Sequence, residues 1–548
     1  MLNTTELASS AKLNKDENSH ASSTCLSGRQ VRPLKINFVR MQCMNSIIIS
    51  CCIIISGCIS NTYKSTFRIT DFGARGNGKT LNTASIQKTL DKVHSLGGGT
   101  VIIPKGIFVS GSIFIKSNTI LRFEPGAVLL GSSDINDYKE LTWGHNKDRQ
   151  PYHLVIIDSA ENVRIEGPGI IDGNGETFWQ DYEKDAQGNM VAPRWIMAKE
   201  KKVSPLIEVV NSRDIRVKDI HIKTGGGWNL HFHNCERIVV DGIQIVNNLY
   251  SPNSDGIDIT GCSDVIISNC YIKTCDDAIC LKTTPDSKEC RRVTVTNCII
   301  ETLCVGLKMG CNESFKDMSD VTFSNCVVNK SSRAVGLYVR EGAHYENIVI
   351  DNIVANTNAP LIFNRPIQIM VERRDSSSPL GSIKNVSISN FICKTEGRIL
   401  LTAEEGAIVE NIFLHNITLD YPYIEDPQPF LSGSGSAQFP KLWKHPESPG
   451  ARAAVVAENI RNLIISHLQI NWPEDSVPEE WRHVERIENG TKRIHVIQYD
   501  QPRKADFSVL WGKNLSGGYI YCPLAQASSE NSKKYVLHNS TIKITENK

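Results

Sequence analysis

The sequence has almost no net charge, because 60 Lys and Arg residues stand against 59 Asp and Glu residues and leave a formal charge of +1. This balance provides no global field for nucleic acid or an anionic surface, so local charges must hold any acidic ligand. The compositional bias of disordered or collagen-like proteins is also missing, since 40% of the 548 residues are hydrophobic and 22% are charged. We therefore expect an ordinary folded chain that does not bind nucleic acid.

Long apolar runs are missing as well, and the one marked run, Ser46–Gly57, has 12 residues. That is too short to span a bilayer as a helix, whereas its basic flank and small-residue end are typical of an export signal. The run ends in Ile55-Ser56-Gly57-Cys58, which resembles the lipobox of bacterial lipoproteins. An ordinary cleaved signal is the alternative. We expect residues 1–57 to be an N-terminal extension with a signal, residues 58–66 a linker, and Cys58 a lipidation site.

This leader predicts an exported protein: a periplasmic or outer-membrane/cell-surface lipoprotein of a bacterium, or otherwise a secreted protein. Contact with a membrane is expected only through the lipid anchor.

Metal-binding spacing is absent too, although the chain has 17 Cys. Outside the leader, Cys275 and Cys280 form a close pair, and no His pattern accompanies it. We therefore expect no metal site and no tightly bound cofactor.

Amphipathic helices do not separate the strand-like segments; instead, a motif recurs in units of about 27 residues. It has the form (Asn, Asp or Arg)-aliphatic-x-aliphatic, which alternates as a strand with one buried face does. Its ten copies begin at Asn162, Asp214, Arg237, Asp264, Arg292, Asp320, Asn347, Asn385, Asn411 and Asn462. The frame of leucine-rich repeats is absent, so the period favours an all-β, right-handed parallel β-helix.

In such a stack, equivalent positions of neighbouring coils lie about 4.8 Å apart and form ladders. Asn269-Cys270, Asn297-Cys298 and Asn325-Cys326 are spaced as one ladder. Its Asn residues are expected to bond the backbone at a turn and its Cys residues to fill the interior, although a disulfide or catalytic role is the alternative.

The ends of the stack need covering, because open sheet edges promote aggregation. Ile86, Leu90 and Val93 share one face of a helix that the glycines at 97–99 end, and this short helix is expected to cap the N-terminal opening. We assign residues 67–425 to the β-helix domain and residues 426–548 to divergent C-terminal coils and loops packed on the same domain.

Three carboxylates fall on neighbouring coils. Asp255 follows Asn253-Ser254, and Asp276-Asp277 come about one turn later. A protein keeps repelling carboxylates together mainly for metal binding or acid/base catalysis. Glycoside hydrolysis needs one protonated carboxyl for the leaving oxygen and one ionised carboxylate for water. Both members of the Asp pair reach one cleft only if the backbone turns or bulges there.

Several motifs, in this order and on this repeat, resemble glycoside hydrolase family 28, the polygalacturonases and their relatives. They are Asp71-Phe72-Gly73-Ala74, Gly97-Gly98-Gly99-Thr100-Val101, Ile171-Asp172-Gly173-Asn174-Gly175, Trp228-Asn229-Leu230-His231, Asn253-Ser254-Asp255-Gly256 and Asp276-Asp277. The resemblance implies a right-handed parallel β-helix that hydrolyses pectic, galacturonate-containing saccharides with inversion. It makes Asp276 the general acid, while Asp255 and Asp277 position and activate water. One of the paired aspartates being merely structural is the alternative.

The departures from the family concern the substrate. The Gly-His-Gly of polygalacturonases aligns with Cys304-Val305-Gly306, so the His is lost. The family's Arg-Ile-Lys, which grips the galacturonate carboxylate, aligns with Tyr338-Val339-Arg340, where Arg340 keeps a cation. Lys308 is a candidate second cation. Each cation also has an alternative role that does not involve the substrate. Arg340 could form a structural ion pair, and Lys308 could be an exposed, solubilising residue.

Other candidate substrate-binding residues flank the carboxylates. Trp228 and His231 lie one coil before Asp255, where they can stack on or hydrogen-bond a sugar, although a core position is the alternative. Asn253 belongs to the Asn-x-Asp motif. The stretch Ser432–Ser448 is expected to wall one end of the cleft and favour exo-action.

Two other functions remain open. A polysaccharide lyase would use Ca²⁺ on the three aspartates and Lys308 or Arg340 as the base. A lipid-anchored binding protein would have lost catalysis together with the His. The expected partner is in each case an acidic, plant-type polysaccharide or oligosaccharide, and the protein is expected to be a monomer.

Overall fold

The computed structural model describes residues 65–143, 146–182, 196–359, 364–395, 397–422, 453–471, 483–488, 492–497, 508–521 and 535–545. These residues belong to one compact unit, Lys64–Lys548. The predictions for the leader, for Cys58 and for Ser432–Ser448 fall outside the described residues.

Strands dominate the described residues. They are β1 Thr66–Arg68, β2 Asn77–Leu81, β3 Gly99–Ile103, β4 Gly106–Ser110, β5 Ile113–Phe114, β6 Thr119–Phe123, β7 Ala127–Gly131, β8 Val155–Asp158, β9 Glu161–Glu166, β10 Ile170–Asp172, β11 Ile207–Val210, β12 Arg213–Lys218, β13 His221–Lys223, β14 Leu230–His233, β15 Glu236–Asp241, β16 Gln244–Val246, β17 Ile257–Thr260, β18 Ser263–Ser268, β19 Tyr271–Thr274, β20 Ile279–Thr283, β21 Cys290–Thr296, β22 Ile299–Thr302, β23 Val305–Ser314, β24 Met318–Asn329, β25 Arg333–Val339, β26 His344–Thr357, β27 Arg365–Val371, β28 Ser382–Thr395, β29 Ile399–Ala403, β30 Ile408–Asp420, β31 Ala453–Glu458, β32 Ile460–Asn471, β33 His483–Glu488, β34 Lys492–Ile497, β35 Ser508–Lys513, β36 Gly518–Tyr521, β37 Tyr535–His538 and β38 Lys543–Thr545.

The strands form a smaller sheet and a larger one, in which neighbours pair in parallel. Along the smaller sheet run β5, β8, β11, β14, β17, β20, β23, β25, β27, β29, β31, β33, β35 and β37; the remaining strands make the larger sheet. Each coil thus adds one strand to the smaller sheet and then one long or two short strands to the larger one. This confirms the predicted right-handed parallel β-helix. The strands after residue 453 join the same two sheets, and the predicted boundary at 425/426 lies outside the described residues.

The core is a stack of in-register apolar side chains. One row on the smaller sheet is wholly buried and consists of Ile157, Val209, Phe232, Ile259, Leu281, Met309, Leu337, Ile369 and Leu401. Burying each such side chain stabilises the fold by about 1.5–3 kcal/mol. The adjacent row points to the opposite face of the sheet. That outer row includes the buried polar residues Glu208, His231 and Asp258 and the partly buried Lys308.

The backbone bends at the first residue of each copy of the predicted repeat motif. All ten such residues, from Asn162 to Asn462, have φ between 48° and 59°, in the left-handed region that Asn and Asp tolerate best. Arg237 and Arg292 occupy the same conformation, and each pairs with an Asp of the preceding coil. The motif therefore marks where the chain turns within the larger sheet as well as where a strand runs.

For the Asn-Cys ladder, the prediction that the Cys residues fill the interior is confirmed. The prediction that the Asn side chains bond the backbone is wrong. Cys270, Cys298 and Cys326 are at most 2% exposed, and all three are free thiols. The Asn side chains, however, bond polar side chains of neighbouring coils rather than the backbone: Asn297 donates to Asn269 at 3.4 Å. Stacking at the coil spacing brings equivalent amides together, and they satisfy one another.

The N-terminal helix is confirmed. Among the described residues, α1, Thr83–Ser95, is the one α-helix; it buries Ile86, Leu90 and Val93 and packs against β1, β3 and β5. Short 3-10 helices span Ile69–Phe72, Ile135–Asp137 and Gly175–Phe178. Within the described part of the chain, no helix has the length and apolar character needed to cross a membrane.

Candidate active site

The three predicted catalytic carboxylates lie just before the first residues of two neighbouring strands of the smaller sheet. Asp255 precedes β17, and Asp276 and Asp277 precede β20; the Gly256 N–H donates to the Asp277 carbonyl at 2.9 Å. Residues 275–278 form an irregular bend rather than a strand, so the two neighbouring aspartates are freed from strand alternation. All three line a cavity of about 730 Å³.

Asp277 is held by a cation. The Lys308 ammonium of β23 forms an ion pair with Asp277 Oδ2, and both side chains are largely buried. Burial by itself raises the pKa of Asp277, but the charge and hydrogen bond of Lys308 outweigh it and hold the pKa below the usual value. Asp277 is therefore a carboxylate that stays ionised.

Asp276 has the opposite character. With the Asn253 amide oriented so that both of its ends are satisfied, its nitrogen donates to Asp276 Oδ2 at 3.2 Å and its oxygen accepts from Trp228 Nε1 at 3.0 Å. Asp276 Oδ1 accepts from the Asp277 N–H at 3.0 Å. Burial and the negative charge of Asp277 raise the pKa of Asp276 to about 6. Asp276 is therefore protonated in mildly acidic solution and can donate that proton.

Asp255 belongs to a buried cluster around one lysine. Lys282 Nζ lies 2.9 Å from Asp255 Oδ2, 2.9 Å from Asp258 Oδ1 and 3.3 Å from Glu313 Oε2. The same ammonium lies 3.4 Å from the centroid of the Trp228 ring, a cation–π contact. Burial, together with the neighbouring Asp258, raises the pKa of Asp255 although Lys282 opposes the shift. Lys282 thus fixes the Asp255 carboxyl in place and shares its charge between several acids.

The structure brings most, but not all, of the predicted substrate-binding residues to the cavity. Asn253, Trp228, Lys308 and Tyr338 line it. His231 is not among the described residues that line it; the side chain is 1% exposed, with Nδ1 2.7 Å from Glu208 and Nε2 2.9 Å from the Thr260 hydroxyl.

Arg340 is not among the described residues that line the cavity. It is 6% exposed, donates to Asn312 Oδ1 at 3.1 Å and lies 3.6 Å from Glu372. The cation predicted to grip a substrate carboxylate is thus engaged in contacts within the protein. Tyr338 is 1% exposed and donates to Gln368 at 3.3 Å.

Several cavity residues were missed from the sequence. They are Lys202, Lys282, Cys304, Glu313 and Arg333. Lys282 had a signal, because it directly follows the apolar residues 279–281 of strand β20, and a charge is seldom buried in a strand unless it is paired. The others stand in loops or at strand ends, where no pattern distinguishes them from solvated residues.

The sequence also missed one group, among the described residues, that has the geometry to hold a metal ion. The ligand atoms of Asp276, Asp277 and Cys304 lie within 4.8 Å of one another. This set does not fit the Ca²⁺ of the lyase alternative, because Ca²⁺ prefers six to eight oxygen ligands and a thiol is a soft one. Asp277 moreover already has the Lys308 ammonium as its counter-ion.

Comparison with known proteins places this cavity in a family. The sequence profile described as Glycosyl hydrolases family 28 matches residues 102–424, which include every carboxylate discussed above. The chain belongs to this family. Among the similar proteins, a probable polygalacturonase of Vitis vinifera is 32% identical over 39% of the chain and 44% of that protein. An exo-poly-alpha-D-galacturonosidase of Dickeya chrysanthemi is 27% identical over 40% of the chain and 43% of that protein. The chain thus spans about half the length of the curated relatives it matches.

A solved family 28 structure supports the fold. The exopolygalacturonase of Yersinia enterocolitica superposes with a TM-score of 0.59 at 17% identity, covering 78% of each chain. An exopolygalacturonase of Thermotoga maritima superposes with a TM-score of 0.53 at 20% identity. At these identities the likeness concerns the β-helix alone.

Proposed function

We propose that this family 28 member is a glycoside hydrolase that cleaves a pectic, galacturonate-containing polysaccharide or oligosaccharide by inverting acid/base hydrolysis. The observation that carries the proposal is that two adjacent carboxyls in one cavity have pKa values shifted in opposite directions. Asp276 has a raised pKa and forms no ion pair within the described part of the chain, whereas the Lys308 ammonium keeps Asp277 ionised. Family membership and the polygalacturonase relatives agree with this assignment.

The reaction follows from these protonation states. Asp276 gives its proton to the glycosidic oxygen as the bond to C1 breaks. Asp277, with Asp255 beside it, holds the attacking water and accepts its proton as the water oxygen bonds to C1. Asn253 positions the Asp276 carboxyl through its amide. The stereochemical part of the proposal, inversion at C1, rests on the family resemblance.

The lost His does not leave the pair without a positively charged neighbour. Val305 lines the cavity at the aligned position, and Lys308 reaches Asp277 from the same strand. We propose that Lys308 orients Asp277 and keeps its carboxylate ionised. The replacement of the His by Val305 is proposed to change which sugar the cavity accepts.

We further propose that the enzyme is exo-acting, cleaving at the ends of the saccharide chain. The Dickeya relative and the Yersinia structure both bear exo-acting names. We also propose export, with lipidation at Cys58 and a monomeric mature protein, because the short apolar run Ser46–Gly57 and the residues after it have the features of a lipoprotein signal.

Time-resolved product analysis tests the enzyme assignment. Wild type, Asp276→Asn and Asp264→Asn are incubated with homogalacturonan, rhamnogalacturonan and their oligosaccharides, with ultraviolet detection. Asp264 is the matched control, because it lies on β18 of the larger sheet and pairs with Arg292. We expect saturated sugar from wild type and the control, and loss of about 10²- to 10⁴-fold in rate for Asp276→Asn.

Each other outcome contradicts a definite part of the proposal. An ultraviolet-absorbing product would indicate β-elimination by a lyase. Binding without any product would indicate a carbohydrate-binding protein. Early release of mixed oligomers, instead of one short product, would contradict exo-action.

A further inference from the structure

Seven cationic residues of the described part of the chain line the cavity, and three of them already neutralise an acid of the protein. Lys282 and Lys308 are paired with the aspartates of the site. Arg374 is bonded to Glu341 at 2.6 Å and is 40% exposed. A uronate substrate would bring a further carboxylate, which needs a cation that is not yet engaged.

Lys202 has the properties that such a role requires. Its side chain lines the cavity that contains the three aspartates. It is only 5% exposed, and the described part of the chain shows no hydrogen bond or ion pair to its ammonium group. Buried lysines are nearly always paired, so an unpaired one that faces a cavity indicates that its partner is a ligand.

The segment that carries Lys202 is fastened on both sides. Before it, the Lys199 N–H donates to the Phe178 carbonyl at 2.8 Å. After it, the Ser204 hydroxyl accepts from the Trp228 N–H at 3.0 Å and donates to a backbone carbonyl at 2.6 Å.

The lysine stem itself has little room. A Cβ on Gly227 would lie 3.4 Å from Lys202 Cε, so the backbone there passes close to the stem. The ammonium is thus held in one region of the cavity before any ligand arrives.

The Lys202 ammonium has acids near it, but none of them is its hydrogen-bonded counter-ion. Burial lowers the pKa of Lys202, although Asp148, Asp255 and Asp276 exert an opposing pull through their negative charges. None of these acids is in hydrogen-bonding contact with the ammonium. A carboxylate placed against it would replace the lost hydration and stabilise the charged form.

We propose that Lys202 binds the carboxylate of the uronate held in the cavity, and that it selects acidic over esterified or neutral sugars. This inference rests on the proposed function and names the residue that recognises the acid. It differs from the sequence-based expectation, which gave that role to Arg340 and Lys308.

The test compares Lys202→Met with Lys201→Met. Met keeps the length of the stem without its charge, and Lys201 is an exposed neighbour that does not line the cavity. Substrates are a galacturonate oligosaccharide and its methyl ester of equal length. Lys202→Met should lower kcat/KM on the acid about 10- to 100-fold, mainly through KM, while the ester changes by about threefold or less. Lys201→Met should resemble wild type.

Equal losses on acid and ester, no loss at all, or the same loss in Lys201→Met would overturn the inference. A second readout is stability: removing an unpaired buried charge should maintain or raise the Tm of Lys202→Met, whereas a structural role would lower it.

Calorimetry separates this inference from the proposed function. Binding of the acid oligosaccharide is measured in Asp276→Asn and in the double variant with Lys202→Met. A loss of affinity confined to the double variant supports Lys202 even if wild type proves inactive. Turnover by wild type with unchanged binding in the double variant overturns Lys202 alone, and no binding to either protein overturns it as well.

Discussion

At the scale of single residues, the adjacent Asp276 and Asp277 differ because different groups contact them. The Lys308 ammonium pairs with Asp277, while Asp276 accepts hydrogen bonds from a side-chain amide and a backbone N–H. An ammonium stabilises the ionised form more strongly than neutral donors do, so the pKa values separate. Acid/base catalysis by two carboxyls depends on such a separation.

The pH dependence follows from the sign of these shifts. The pKa of Asp276 is raised to about 6, and the acid must be protonated to act. We therefore expect kcat/KM to be greatest below pH 6 and to fall about tenfold per pH unit above it. The acidic limb should lie low, because the pKa of Asp277 is lowered. A profile that stays flat from pH 5 to about 8 would show that Asp276 is not the acid.

Replacing Lys308 tests its effect on Asp277. In Lys308→Met the carboxylate loses its counter-ion, so its pKa rises and the acidic limb of the rate profile should move up by about one to three pH units. The matched control is Lys330→Met, which removes an exposed lysine paired with Glu301. Lower activity with an unmoved acidic limb would mean that Lys308 has only a packing role.

At the scale of elements, the bends of the larger sheet are held by a side-chain ladder. Asn462 donates to Asn411 at 2.7 Å, Asn411 to Asn385 at 2.9 Å, and Asn385 to Asn347 at 3.3 Å. Each of these residues has a positive φ. Asn suits both needs at once, because it tolerates the left-handed region and its amide both donates and accepts.

Two substitutions at Asn385 separate backbone strain from the ladder. Asn385→Ala loses the hydrogen bonds and strains φ, so it should lower the free energy of unfolding by about 1–2 kcal/mol. Asn385→Gly loses only the hydrogen bonds and should cost less. Denaturant unfolding measures both, with Ser387→Ala on the same strand as the control. Equal effects of Ala and Gly would show that the positive φ is not what selects Asn.

At the scale of the whole molecule, export and catalysis are specified by separate segments. The predicted lipidation site, Cys58, precedes the compact unit that begins at Lys64. Two acyl chains on one Cys are enough for stable membrane attachment without a spanning helix.

Mass spectrometry of the mature N-terminus tests this proposal. The full chain, made in a bacterium with lipoprotein-processing enzymes, should begin at an acylated Cys58 and fractionate with membranes. Cys58→Ser should lose the acyl mass and leave the membrane fraction, whereas Cys52→Ser, inside the apolar run, should behave as wild type. An unmodified N-terminus at another residue would favour an ordinary signal.

The sequence by itself determined the repeat, the fold class, the capping helix and the neighbouring positions of Asp255, Asp276 and Asp277. All of these are consequences of periodicity: a repeat of one coil places residues one period apart side by side, whatever the rest of the chain does. Even the bend positions were visible in the repeat motif, although their left-handed conformation was not.

Only the tertiary structure decided which charged groups meet. Lys282 reaches Asp255 across 27 residues, and Arg149 reaches Glu208 across 59. It likewise turned Arg340 toward Glu372 and placed Lys202 at the cavity without an ion-pair partner among the described residues. The physical reason is that an ion pair depends on side-chain direction and on loops outside the repeat, to within an ångström, whereas the period of a sequence specifies only which coils are neighbours.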